Sequence, residues 1–266
     1  MQELMKGRRG LIMGIANDHS IAWGIARALA AQGAELAFTF QGDAQAKRIA
    51  PLAEQLGVNT LLPCDVEDIA SVDAVFAALR TKWQHLDFLV HAIGFSDKNE
   101  LRGRYADTSR ENFSRTMVVS CFSFTEIAKR AAELMSEKGG AMLTLTFGAA
   151  MRAMANYNVM GVAKAALEAS VRYLAFDFGR QNIRVNAISA GPVRTIAGYG
   201  IGDAHALFGY MQKHSPLGRG VTLEELGGSA LYLLSDLSGG VTGEVHYVDC
   251  GYNTVLMPRP EELKAE

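Results

Sequence analysis

The sequence predicts an α/β fold: a single-domain, doubly wound, parallel seven-stranded sheet with helices on both faces. Short apolar runs alternate along the chain with longer helical patterns, which is the order of elements in such a sheet. The predicted strands are continuously apolar rather than alternating, as expected of strands that are buried on both faces. Neither a repeat nor a linker-like segment interrupts the 266 residues, so we predict one domain over residues 1–266.

Each element can be placed on the chain. The strands are predicted at 10–13, 35–40, 60–63, 88–92, 141–147, 184–189 and 246–249. The helices are predicted at 21–32, 43–56, 69–83, 110–137, 158–179, 204–213 and 223–235. Ligands of such sheets bind outside the carboxyl ends of the strands, so a site is expected in the segments that follow the strands.

Composition and charge exclude several functional classes. The chain has 26 Lys and Arg against 28 Asp and Glu, a formal charge of −2, which argues against nucleic acid or an anionic membrane as main partner. Its three cysteines lack metal-ligand spacing, so we expect no metal site and a reducing, cytoplasmic location. The longest apolar runs fall short of the ~18 residues that a membrane span needs. Glycine is enriched, at 27 residues, which indicates tight turns or close backbone approaches.

The segment after the first strand is typical of a phosphate-binding turn. Gly14 permits a sharp turn, Ser20 is a predicted helix N-cap, and Gly24 is expected to let the helix pack closely on the sheet. A helix N-terminus offers free N–H groups and a positive dipole end to a pyrophosphate. The spacing differs from G-x-G-x-x-G, and alone an ordinary turn explains it equally well. Its place after strand one favours a dinucleotide cofactor in a Rossmann-type fold, with contacts from Gly14, Ala16, Ser20 and Ile21.

The ends of the other strands supply the rest of the predicted cofactor site. Gln41 follows strand two, where an acidic residue is typical of NAD-binding proteins and a basic residue is typical of NADP-binding proteins. Gln41 is neither, although its amide can form hydrogen bonds. The first basic residue comes later, at Lys47, which favours NADH over NADPH. Asp65 follows strand three and can accept from an adenine amino group or cap the next helix. Further cofactor contacts are expected at Val66, Ala92, Ile93, Gly94, Ala190, Gly191, Pro192, Val193, Thr195 and Ile196.

Tyr157 and Lys164 are the candidate chemical residues. Seven helical steps return to within ~20° of the same face, so both side chains point in one direction. A lysine near a tyrosine favours the phenolate and can hold a cofactor ribose. Spacing alone is explained better by two residues of a solvated helix face, but the position after strand five favours a functional pair. The apolar, glycine-rich segment 196–218 is predicted to be a lid over an apolar substrate, with an ordinary surface helix as the alternative.

Together these motifs resemble the bacterial enoyl-acyl-carrier-protein reductases, a divergent branch of the short-chain dehydrogenases/reductases. The resemblance covers essentially the whole chain and rests on residues 14–24, 156–164, 184–192 and 235–244. The Tyr-x6-Lys spacing is the specific part, since ordinary members of the wider family use Tyr-x3-Lys to interconvert ketones and alcohols.

The resemblance implies a reaction and partners. NADH would pass hydride to C3 of a trans-2-enoyl thioester delivered by acyl carrier protein in type II fatty acid biosynthesis. Tyr157 would donate a hydrogen bond to the enolate oxygen, and Lys164 would hold the ribose. Substrate contacts are expected at Phe95, Ser96, Phe147, Tyr157, Met160, Ile201 and Phe208. A homotetramer is also implied, with helices 110–137 and 158–179 as candidate interfaces and segment 252–260 reaching a neighbouring subunit.

Phe147 departs from the family pattern, which usually has a second tyrosine at this position. Ala155 likewise stands where the family has a proline. We favour an active enzyme in which Tyr157 alone suffices and substrate preference or inhibitor response is altered. The alternatives are a weakly active or silent NAD-binding paralogue and a carbonyl reductase.

Overall fold

The computed structural model describes residues 3–135, 138–193, 195 and 203–259. It contains a parallel seven-stranded sheet in the order β3-β2-β1-β4-β5-β6-β7. The strands are β1 (Arg9–Met13), β2 (Glu35–Phe40), β3 (Thr60–Pro63), β4 (Phe88–His91), β5 (Gly140–Phe147), β6 (Ile183–Ala190) and β7 (Val245–Val248). The predicted fold class is confirmed, and each predicted strand ends within one residue of its observed limits.

Eight α-helices cover the sheet in the described part of the chain. They are α1 (Ile21–Ala30), α2 (Gly42–Gln55), α3 (Ile69–Trp83), α4 (Arg110–Met117), α5 (Ser123–Met135), α6 (Asn158–Phe178), α7 (Ala204–Lys213) and α8 (Leu223–Leu234). The prediction of one helix over 110–137 is wrong, because a π-helical turn at Val118–Phe122 separates α4 from α5. Such turns widen a helix by one residue and are frequent at functional sites.

An apolar core lies on each face of the sheet. Helices α3, α5 and α6 cover one face, and α1, α2 and α8 cover the other. Leu11 and Ile12 are consecutive in β1 and both fully buried, one in each core, since neighbouring strand residues point to opposite faces. This double burial explains why the strand sequences are continuously apolar.

Helices α1 and α8 approach each other closely through two glycines. A β-carbon on Gly24 would lie 2.8 Å from the carbonyl oxygen of Leu223, and one on Gly227 would lie 2.8 Å from that of Gly24. The expectation that Gly24 packs against the sheet is therefore wrong: its missing side chain makes room for a neighbouring helix.

The strand order reverses between β1 and β4, the neighbours at the centre of the sheet. In parallel sheets a crevice opens at this point, outside the carboxyl ends of the strands, because the connections leave in opposite directions. The predicted functional segments follow these ends. None of the described helices is both long and apolar enough to cross a membrane.

Candidate active site

An open cleft of about 360 Å³ lies at the carboxyl ends of β1, β4, β5 and β6. It brings together most of the residues predicted from the sequence: Gly14, Ala16, Ser20, Ile21, Ala92, Ile93, Gly94, Phe95, Ser96, Phe147, Tyr157, Met160, Lys164, Ala190, Gly191, Pro192, Val193, Thr195 and Phe208. Ala22, Lys98, Leu101, Leu145 and Thr146 also line it and were not predicted. Ile196 and Ile201 lie outside the described residues.

The turn after β1 suits an anion. Gly14 has φ +96°, and a β-carbon there would lie 2.1 Å from the carbonyl oxygen of Ala92 on the neighbouring strand, so only glycine fits. Ser20 occupies the predicted N-cap position of α1, but its hydroxyl donates to the carbonyl oxygen of Asn17 (2.6 Å) instead of capping the helix. The first turn of α1, all of which the structure describes, contains no acidic residue. Its positive end is thus left for a phosphate, which fits a dinucleotide.

Gln41 and Asp65 meet beside the cleft, at the ends of β2 and β3. The Gln41 amide donates to a carboxylate oxygen of Asp65 (3.0 Å), while the other oxygen accepts from the backbone of Glu67. Helix α3 is capped instead by Asp68, so the alternative role of Asp65 as its cap is wrong. The Val66 side chain is buried in the core, which leaves only its backbone for a ligand. None of these three residues lines the cleft.

Tyr157 and Lys164 both line the cleft, so the two side chains lie on the same side of α6 as their spacing predicts. Tyr157 stands at the N-cap position of α6, between two asparagines, Asn156 and Asn158, whose φ angles are +59° and +38°. Both functional side chains are buried, each residue being 8% exposed. The Lys164 ammonium donates to the carbonyl oxygen of Leu145 on β5 (2.8 Å).

Burial shifts the pKa values of this pair in opposite directions. It raises the pKa of Tyr157 well above its ordinary value, so the phenol remains protonated at neutral pH. Burial lowers the pKa of Lys164 to about 8, and the neighbouring Cys121 and Glu168 oppose this shift. The expectation that Lys164 promotes a Tyr157 phenolate is therefore wrong. The geometry offers a neutral hydroxyl, which is a hydrogen-bond donor, beside an ammonium group.

The wall around Tyr157 is apolar. Phe147 packs edge-on against Tyr157, with ring centroids 5.3 Å apart. Tyr157 also forms a buried cluster with Met160, Phe208 and Leu101. Phe208 comes from α7, so this described part of the predicted lid segment packs directly on the site. An aliphatic chain would be matched to such a wall, because burying apolar surface is favourable.

Sequence reasoning missed the polar residues beneath the cleft. Ser120 in the π turn accepts from the backbone N–H of Phe95 (2.9 Å) and donates to its carbonyl oxygen (2.8 Å), which fixes the segment after β4. His91 is fully buried, and burial together with the Lys164 charge lowers its pKa to about 3. Ser120 meets Phe95, and His91 lies near Lys164, although the members of each pair are distant in sequence. Neither Ser120 nor His91 stands in a recognisable motif, so the tertiary structure alone shows these relations.

Comparisons with known proteins agree with this geometry. The profile of the family described as Enoyl-(Acyl carrier protein) reductase matches residues 14–253. The chain is 72% identical over 264 residues, 99% of its length and 98% of the relative, to "Enoyl-[acyl-carrier-protein] reductase [NADH] 2" of Rhizobium meliloti (strain 1021).

Solved structures give the same result. The crystal structure of FabI from Candidatus Liberibacter asiaticus is 59% identical, with a TM-score of 0.95 over 97% of this chain and 100% of that one. An enoyl-(acyl-carrier-protein) reductase of Anaplasma phagocytophilum, solved in complex with NAD, is 57% identical, with a TM-score of 0.93 over 96% and 97% of the two chains. The chain therefore belongs to the enoyl-(acyl carrier protein) reductase family.

Proposed function

We propose that this protein reduces the trans-2 double bond of enoyl-acyl-carrier-protein thioesters with NADH in fatty acid biosynthesis. The observation that carries the proposal is the neutral Tyr157 hydroxyl, held against an apolar wall in the same cleft as an anion-binding turn. Whole-length identity of 72% to a curated NADH-dependent reductase supports it.

Different residues of the chain would bind different parts of the cofactor. The turn from Gly14 to Ile21 would take the pyrophosphate, the Gln41–Asp65 pair would face the adenosine, and Lys164 would hold the nicotinamide ribose. When bound, the nicotinamide supplies the hydride. A relative 57% identical to this chain was solved in complex with NAD, which supports NAD as the cofactor.

Tyr157 stabilises the charge that develops on the substrate. As C3 gains hydride, negative charge collects on the thioester oxygen, and a donor already fixed by burial and ring packing meets that charge without reorganisation. Phe147, Met160 and Phe208 exclude water around the acyl chain, which strengthens this hydrogen bond. The side chains of Tyr157, Phe147, Met160 and Phe208 all line the cleft.

Two other functions are less well supported. A carbonyl reductase is not favoured, because the curated relatives reduce enoyl thioesters by name and the chain carries the Tyr-x6-Lys spacing. A silent paralogue would need a further defect besides the change to Phe147, since the Tyr157 hydroxyl and the Lys164 ammonium are both in place.

The test is the loss of NADH absorbance with crotonyl thioester as substrate. We expect turnover by the wild type and a kcat about 10²–10³-fold lower in Tyr157→Phe, which lacks the oxyanion donor but retains the NADH site. NADH binding without turnover of any enoyl thioester would favour the silent paralogue. Turnover of acetoacetyl thioester but not crotonyl thioester would favour the carbonyl reductase.

We also propose that the protein assembles as a homo-oligomer, a tetramer by family resemblance, and works in the cytoplasm. The candidate interface is an exposed apolar face on α6 and the adjoining π turn, which includes Val118, Phe122, Val162, Tyr173 and Phe176. Large exposed apolar side chains concentrated on neighbouring elements are a feature of protein–protein interaction sites.

A further inference from the structure

Glu168 is a buried carboxylate that the reaction described above does not use. It lies on α6 one turn beyond Lys164 and is only 5% exposed. Its Oε1 atom accepts a hydrogen bond from the Thr146 hydroxyl (2.8 Å). Glutamates are almost never buried to this extent unless they are paired, so the position calls for a role.

Two consecutive residues of β5 hold two charged residues of α6. The carbonyl oxygen of Leu145 accepts from the Lys164 ammonium, and the hydroxyl of Thr146 donates to Glu168, each over 2.8 Å. Residues four apart share one helix face, so both charges lie along the same stretch of strand. Leu145, Thr146 and Lys164 all line the cleft, which places this arrangement in its wall.

The ionisable groups around Lys164 leave Glu168 as its source of negative charge. On the other elements packed nearby, burial raises the pKa of the Cys121 thiol and lowers the pKa of His91, so both are neutral at pH 7. Cys121 and Glu168 are the groups that raise the pKa of Lys164 against the effect of burial, and of the two only Glu168 is a carboxylate.

Glu168 in turn faces cations on its own helix and a phenol on β7. Burial raises its pKa, whereas the Thr146 hydrogen bond and the charges of Arg172 and Lys164 favour its ionised form. Tyr247 is neutral, since burial and the Glu168 charge raise its pKa.

We propose that Glu168, anchored by Thr146, is a positioning residue that keeps the Lys164 ammonium charged and directed into the cofactor cleft. The proposal rests on the proposed function in one respect, that Lys164 holds the nicotinamide ribose. A buried ammonium has lost its hydration, and a fixed carboxylate one turn away restores part of that stabilisation.

The direction of the pH effect follows from these charges. Lys164 is charged below a pKa of about 8 and loses its proton above it. Removing the Glu168 charge lowers that pKa further, so the ammonium is lost at a lower pH. NADH affinity, where it depends on the ammonium, then declines at a lower pH as well.

The experiment measures the NADH dissociation constant by fluorescence across the neutral and alkaline range. We expect Glu168→Gln, which keeps the shape and the Thr146 contact, to move the midpoint of affinity loss about one pH unit lower. Asp177→Asn is the matched control, because it removes an exposed carboxylate from the same helix. Lys164→Met identifies the titrating group, since its weakened binding should not change with pH.

Thr146→Val tests the anchor separately. It also tests the proposal if the Glu168 variant does not fold. It should weaken NADH binding several-fold at neutral pH, and Thr146→Ser should restore it. Equal midpoints in wild type and Glu168→Gln, or an unchanged affinity in Thr146→Val, would overturn the proposal. A wild type that binds no NADH at neutral pH would instead refute the proposed function.

Discussion

Phe147 and Tyr157 show what single residues contribute to this cleft. Their rings pack edge-on at 5.3 Å, so the site has two aromatic rings but a phenolic hydroxyl on only one of them. Phe147 thus supplies packing without a proton, and it holds the donor in place. Aromatic pairs of this geometry contribute about 0.5–1.5 kcal/mol beyond burial.

Restoring a hydroxyl at position 147 should change the rate little. We expect Phe147→Tyr to keep kcat/KM for crotonyl thioester within about threefold, because the donor to the developing charge is Tyr157. Phe147→Leu is the control, since it removes the ring contact and should lower kcat by disordering Tyr157. A gain of tenfold or more in Phe147→Tyr would show that the missing hydroxyl limits the reaction.

At the scale of elements, helix packing fixes the position of the anion-binding turn. Helix α1 begins at the cofactor turn, and its distance from α8 depends on Gly24 and Gly227. Any outward shift of α1 would carry the N-terminus at Ile21 away from the cleft. The glycine excess is therefore partly a requirement of helix contact and not only of ligand binding.

Two adjacent glycines of α8 provide a test of this packing. Gly227→Ala should lower the free energy of unfolding by about 1–3 kcal/mol, because its β-carbon would meet the Gly24 carbonyl oxygen at 2.8 Å. Gly228→Ala should raise it by about 0.5–1 kcal/mol, since nothing lies within 4 Å and alanine favours the helix. Urea unfolding at one protein concentration measures both, and equal effects would contradict the proposed contact.

At the scale of the whole molecule, the outer face of α6 is unusual. Phe176 is 85% exposed and Phe122 is 52% exposed, although burying a phenylalanine side chain is worth about 1.5–3 kcal/mol. The π turn that positions Ser120 inward also presents Phe122 outward. Assembly through this face would therefore stabilise the same turn that holds the segment after β4.

The double variant Phe122→Glu, Phe176→Glu should dissociate the oligomer, because it places two carboxylates of each protomer in the apolar face that the interface would bury. Light scattering after gel filtration gives the mass, and circular dichroism checks that the fold is retained. Tyr105→Glu, an exposed aromatic residue outside α6 and the π turn, is the control and should leave the mass unchanged. A wild type of monomeric mass would disprove the proposed assembly.

The sequence by itself determined the order of elements, the strand limits and most of the residues that line the cleft. It could do so because continuous apolar runs, helical periodicity and turn residues are local properties. The Tyr157–Lys164 pair was also accessible, since helix geometry alone places residues seven apart on one face.

Only the tertiary structure decided which partners these residues meet. Gly24 faces a helix instead of the sheet, and a π turn divides the predicted helix 110–137. The Ser20 hydroxyl donates a hydrogen bond to the carbonyl oxygen of Asn17 instead of capping α1. The role proposed for Glu168 depends on the position of β5, which places the Thr146 hydroxyl within hydrogen-bond distance of the carboxylate. Protonation followed the same rule: burial raises the pKa of the Tyr157 phenol, and burial is created by the packing of distant segments.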